Sequence, residues 1–209
     1  MPQEKGKVNQ NDYLDESVRL LEKQCACPAS SFYPQNIPDD LKMLNQWVVY
    51  KLVPNPDPSK KDIKCPLSIS TGYGASTSDP DTWSSYSDAL AWYDEWGGHP
   101  HSHIDSQQGE MTGIVTGLGY VFSPDDPYCG IDLDHCIDEQ GKLTQWAQDI
   151  VDMLESYTEI SVSGTVLHVI IAGQKPDNAR CRHGNIECYD QGRYFCLTGN
   201  LYKGGSHVQ

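Results

Sequence analysis

Three short segments of this chain alternate apolar with charged or polar residues at a period of two, which restricts each to a strand half-buried in a sheet. In residues 128–133, continued by Asp134, Ile131 and Leu133 share one face. Asp132 and Asp134 share the other, about 6.5–7 Å apart along the strand. In residues 166–171, Leu167, Val169 and Ile171 take one face, which leaves His168 with Val166 on the opposite one. In residues 186–189, Glu187 alternates with Ile186 and Cys188 and so faces away from the apolar side. Residues 143–154 follow a different period. Leu143, Trp146, Ala147, Ile150, Val151 and Leu154 recur at i, i+3, i+4, i+7, i+8 and i+11, the apolar stripe of a helix that lies on a sheet.

Further strands are expected at residues 47–52, 114–122, 158–162 and 194–197, with a polar loop at 53–61. A second helix carries Trp83, Tyr86, Ala89, Leu90 and Tyr93; Ser78 or Asp81 would cap it and Gly97-Gly98 would stop it. The histidine-rich run from His99 to Asp105 reads as a surface loop. Strands with a few covering helices make an α+β domain. The expected organisation is a flexible arm over residues 1–38, with a short amphipathic helix at 14–24, followed by one domain over 39–209.

A net charge of −14 excludes a protein that wraps nucleic acid by bulk electrostatics. From Gln174 onward, however, Lys175, Arg180, Arg182, Arg193 and Lys203 outnumber the acids, so polyanion contact should be local to the C-terminal third. No run of residues is long and apolar enough for a membrane span, and the N-terminus lacks a signal-peptide core, so the expectation is a cytoplasmic protein without membrane contact. The eight cysteines form no Cys-x-x-Cys and read as thiols rather than a disulfide framework. The spacing of Cys181, His183 and Cys188 fits no common structural zinc site.

Two carboxylates on one face of a strand can bridge one or two Mg²⁺ ions, which favour carboxylates together with substrate phosphates. The hydroxyls and backbone N–H groups of Ser161-Val162-Ser163-Gly164 suit phosphate oxygens, and His168 beside them can donate to the same oxygens. Glu187 as a third acid would complete a cage for two metals. Taken singly, each has a plainer reading. Asp-x-Asp is also a solvated strand end or part of a sugar-nucleotide transferase, His168 a satisfied core histidine, and Glu187 an exposed strand residue.

In combination these segments resemble the archaeo-eukaryotic primase superfamily, in the bifunctional primase-polymerase branch of phage and plasmid replication proteins. That family's signature is an Asp-x-Asp strand, a Ser-Gly-x-Gly-x-His strand and an acid on a further strand. Here these match Asp132 and Asp134, Ser163-Gly164-Thr165-Val166-Leu167-His168, and Glu187. Lys64-Cys65-Pro66, Asp81-Thr82-Trp83, Tyr157-Thr158-Glu159 and the run from Tyr189-Asp190 to Thr198-Gly199 add support, so that the likeness covers about residues 47–199. The resemblance implies a catalytic core with a mixed, mostly antiparallel sheet, one half of it RRM-like, covered by helices. It implies template-directed nucleotidyl transfer, DNA primase and polymerase activity, from dNTP or NTP on a single-stranded DNA template, with a replicative helicase in the same system. Asp132, Asp134 and Glu187 would hold two Mg²⁺ or Mn²⁺ ions. His168 with Ser161, Ser163 and Gly164 would grip the triphosphate, and Lys64 and Arg193 would contact phosphate or template.

One position departs from the signature. Val166 replaces its second glycine, and a valine there should crowd the nucleotide pocket or strain a backbone that needs positive φ. Relatives usually continue beyond the Thr198-Gly199 match into a helical domain and a helicase, which implies either weakened activity or a fragment of a longer protein. Two other classes remain. One is a catalytically weakened primase-like module that binds single-stranded DNA or nucleotides. The other is a metallohydrolase built on His99, His101 and His103, where alternate histidines would share a metal.

Overall fold

The computed structural model describes residues 32–203 and 207–209. The helix expected at residues 14–24 and the cysteines Cys25 and Cys27 lie outside them. The strands are β1 (Trp47–Val53), β2 (Ile63–Leu67), β3 (Pro100–Asp105), β4 (Gly109–Phe122), β5 (Tyr128–Leu133), β6 (Tyr157–Ile160), β7 (Leu167–Ala172), β8 (Arg182–His183), β9 (Ile186–Tyr189), β10 (Arg193–Leu197) and β11 (Leu201–Lys203). The helices are α1 (Asp39–Lys42), α2 (Tyr86–Trp96) and α3 (Gln145–Leu154). The α+β class holds, with the strands divided between two sheets. The first has the order β10-β4-β1-β2 with β3 also on β4, and the second the order β11-β6-β7-β5-β9-β8. Every pairing between these strands is antiparallel.

Alternation decides which face meets which layer. On the outer face of the second sheet, Leu133, Leu167 and Val169 pack with Ala147 and Val151 of α3, as the two apolar periods require. The inner face presents Tyr157 and Ile170 to Trp47, Tyr120, Phe122 and Phe195 of the first sheet, and Ala89 of α2 joins the same cluster. Gly130 on β5 allows this approach, because a Cβ there would lie 2.3 Å from the Phe122 ring. The inner face is thus apolar at one end, and the same face of β7 carries His168 two residues from Ile170.

Several elements differ from expectation. Ser85, not Ser78 or Asp81, caps α2, accepting from the Asp88 backbone N–H at 3.1 Å. Pro80–Thr82 forms a separate 3₁₀ turn, so Trp83 precedes the helix. The run expected as a histidine loop is the edge strand β3, anchored by the fully buried Lys51. The Lys51 ammonium donates to the carbonyls of His101 and Met111 and lies 2.9 Å from His103 Nδ1. A cation held against His103 opposes the sharing of a metal by these histidines. The strand at residues 63–67 had been hidden by Pro66, and β6 ends at Ile160 because residues 161–165 form the turn into β7. Before α1, Ile37 is buried and the Tyr33 N–H donates to the Thr198 carbonyl at 2.7 Å.

Candidate active site

The register of the second sheet sets five charged or titratable side chains in one transverse row. Glu159 on β6 lies opposite His168 on β7, His168 opposite Asp132 on β5, Asp132 opposite Glu187 on β9, and Glu187 opposite Arg182 on β8. Directly opposed residues of an antiparallel sheet share a face, so the row lies on the inner face, beyond the apolar contact with the first sheet. There a cleft of about 390 Å³ is lined by Asp132, His168 and Glu187 of the second sheet and by Lys64, Arg193 and Phe195 of the first.

Each member of the row is held by its neighbours. The Glu159 carboxylate is fully buried and accepts from Tyr157 Oη at 2.7 Å, from the backbone N–H of Thr198 at 3.0 Å and from that of Gly199 at 2.8 Å. It also accepts from His168 Nδ1 at 3.1 Å, which fixes the imidazole tautomer and leaves Nε2 as the remaining ring nitrogen. Phe195 stacks on the same ring with centroids 4.5 Å apart. Gly199 has φ +65°, and a Cβ there would meet the Tyr33 carbonyl at 2.0 Å, so only glycine makes this turn.

Asp132 is a half-buried carboxylate whose Oδ1 is buried without a hydrogen-bond partner. Burial is the main cause that pushes its carboxyl above the usual range; His168 and Lys64 oppose that, while Asp134 and Glu187 add to it. Asp134 follows the end of β5, its N–H donating to the Asn185 carbonyl at 2.8 Å. Glu187 is engaged on both oxygens. Arg182 lies 3.0 Å from Oε1, and Tyr189 Oη donates to Oε2 at 2.6 Å. Arg182 also lies 3.8 Å from Asp134, so one exposed guanidinium spans two of the three acids. Arg193 covers the Tyr189 ring at 4.7 Å and donates to its hydroxyl at 3.1 Å, which raises the guanidinium pKa further.

The residues present fit a hard divalent cation such as Mg²⁺ or Mn²⁺. The donors are carboxylate oxygens, one of them orphaned and buried on a residue whose charged form burial disfavours and a cation would stabilise. As they stand, no three His, Cys, Asp or Glu side chains among the described residues converge into a closed cage.

Of the residues singled out by sequence, Lys64, Asp132, His168, Glu187 and Arg193 line one cleft. Asp134 is not among the lining residues and connects to them through Arg182, which also holds Glu187. Ser161, Ser163 and Gly164 form the β6–β7 turn and are not among the lining residues. Ser161 Oγ lies 3.1 Å from Ser163 Oγ, and Gly164 takes φ +74°. The expectation for Val166 is corrected: it is buried, does not line the cleft and has no positive φ. Its carbonyl accepts from the Ser161 N–H at 2.9 Å, a contact any residue makes. In sequence Glu159 is only part of the Tyr157-Thr158-Glu159 lead-in; the signal that marks it is an acid in mid-strand on the same face as Tyr157.

No protein-family model matches the chain. A DNA primase-polymerase of Nitratiruptor phage NrS-1 is 31% identical over 170 residues, which cover 78% of this chain and 20% of that protein. The chain therefore spans about a fifth of the length of this relative.

Proposed function

We propose that this chain is a primase-polymerase domain like the segment it matches in the phage protein, and that its cleft performs metal-dependent, template-directed nucleotidyl transfer in the replication of a phage or other mobile element. The observation that carries the reading is the row Glu159–His168–Asp132–Glu187, which puts acids and a fixed imidazole on the floor of a cleft with Lys64 and Arg193 opposite.

In this reading Asp132, Asp134 and Glu187 hold the divalent cations. Bound there, Mg²⁺ or Mn²⁺ would supply neutralisation of the phosphates and a lowered pKa for the attacking 3′-hydroxyl. The chain's own groups do the positioning. His168 commits its Nδ1–H to Glu159 and, in its doubly protonated form, donates Nε2–H to a phosphate oxygen. Lys64 offers positive charge to the triphosphate or template, as does Arg193, which lies 3.8 Å from Glu187 Oε2. Phe195 holds the imidazole plane and keeps water from that side of it. Single-stranded DNA and a dNTP or NTP are the substrates, and a replicative helicase is the partner expected of the same system.

The hold of Arg182 on Glu187 and Asp134 favours a second reading, a primase-like module that binds nucleotide or single-stranded DNA with little turnover. A primer-extension and de novo synthesis assay with Mg²⁺ or Mn²⁺, dNTPs and NTPs separates the two. Template-dependent products support nucleotidyl transfer. Binding without products supports the module.

A further inference from the structure

Strands β5 and β9 carry a second pair of reactive groups, on the face turned away from the cleft. Cys129 and Cys188 have their Sγ atoms 3.1 Å apart. The register puts Cys188 opposite Ile131, so Cys129 reaches it on the diagonal, on the face opposite Asp132 and Glu187. Bond formation requires the sulfurs to close by only about 1 Å, to the S–S length of about 2.05 Å. Neither is in a disulfide; Cys129 is buried and Cys188 partly exposed.

The place of β9 gives this contact its consequence. β9 pairs with β5 from Gly130↔Tyr189 to Leu133↔Ile186, and among the described residues only the two-residue β8 lies beyond it. It is a short strand near the sheet edge, yet it supplies Glu187 and Tyr189 to the cleft.

We propose that Cys129 and Cys188 form a reversible disulfide site, closed by a small-molecule disulfide such as oxidised glutathione, that staples β9 to β5 directly behind Asp132 and Glu187. The Cys188 sulfur, the accessible one, attacks oxidised glutathione. It forms a mixed disulfide and releases one glutathione. The Cys129 sulfur then attacks the Cys188 sulfur, forming the Cys129–Cys188 bond and releasing the second glutathione. The two thiol protons pass to the two released glutathiones, and the two electrons lost by the protein reduce the oxidant. This site stands on the strand geometry alone and does not depend on the reaction proposed for the cleft.

Cys181 competes for the oxidant, because it is exposed and its carbonyl accepts from the Cys188 N–H at 2.8 Å. The test is to equilibrate the unaltered chain in glutathione buffers of rising oxidised fraction, trap remaining thiols by alkylation under denaturing conditions, and map peptides without reduction. The expected result is one peptide pair joined through Cys129 and Cys188, lighter by two hydrogens and separated again by reductant. Amide exchange in residues 186–189 should slow by on the order of ten-fold or more when the link is closed. Cys181→Ser should leave the link in place. Cys129→Ser should leave glutathione on Cys188, and if that variant does not fold, the peptide map of the unaltered chain decides. Cys129 alkylated throughout while glutathione accumulates on Cys188 or Cys181, or a Cys181–Cys188 link, would overturn the site. A closed link with unchanged exchange in β9 would overturn the staple.

Discussion

His168 Nδ1 lies 3.1 Å from Glu159 Oε1, and both side chains are buried. Glu159 is in turn fixed by the N–H groups of Thr198 and Gly199, a turn pinned by the Tyr33 N–H on the Thr198 carbonyl. The orientation of the imidazole at the cleft therefore depends on residues far from it in sequence. Glu159→Gln keeps the shape but turns an amide NH₂ toward donors that need an acceptor. The expected cost is about 1–3 kcal/mol of stability, with weaker nucleotide binding because the imidazole is no longer held. Urea denaturation and nucleotide titration check both. Unchanged stability would mean that the carboxylate does not organise the turn.

How much of this was legible depended on the range of the interaction that fixes each residue. Faces were legible, because Ile131, Leu133, Leu167 and Val169 alternate with Asp132 and His168, and α3 shows its stripe. The row itself was not, since it needs the order β6-β7-β5-β9, which no local pattern encodes. Glu159 was overlooked because its partners Thr198 and Gly199 are remote in the chain. β3 resembles a loop in sequence because its histidines mask a strand that Lys51 holds from β1. Val166 was placed by alternation on the face of His168, but it stands at the turn, before β7 begins, where alternation no longer specifies a face.

Asp132 supplies a pH signature. Its folded-state carboxyl sits above its ordinary value, chiefly through burial. Its contribution is thus fully favourable below the unfolded pKa and is lost as pH rises through the folded one. In the metal-free chain, Asp132→Asn should remove that loss and be more stable than the parent at neutral pH, with the difference fading as pH falls through the carboxylate range. Urea unfolding of both proteins across that range tests the sign. A parent more stable than the variant at neutral pH would contradict the burial of an uncompensated charge.

Val166→Gly removes a buried side chain that does not line the cleft. The expected outcome is a loss of about 2 kcal/mol and no gain in nucleotide affinity or incorporation rate. Thermal denaturation and single-turnover kinetics measure the two. Tighter nucleotide binding by the variant would show that this position does shape the pocket.

The role proposed for Asp132, in the row with His168 and Glu187, is in nucleotidyl transfer. The most direct measurement is single-turnover incorporation of nucleotide on a primed template with Mn²⁺, comparing the parent with folded Asp132→Asn. The expected result is template-dependent extension by the parent and a loss of at least about a hundred-fold in the variant. Extension by a well-folded Asp132→Asn at the parent's rate would contradict it.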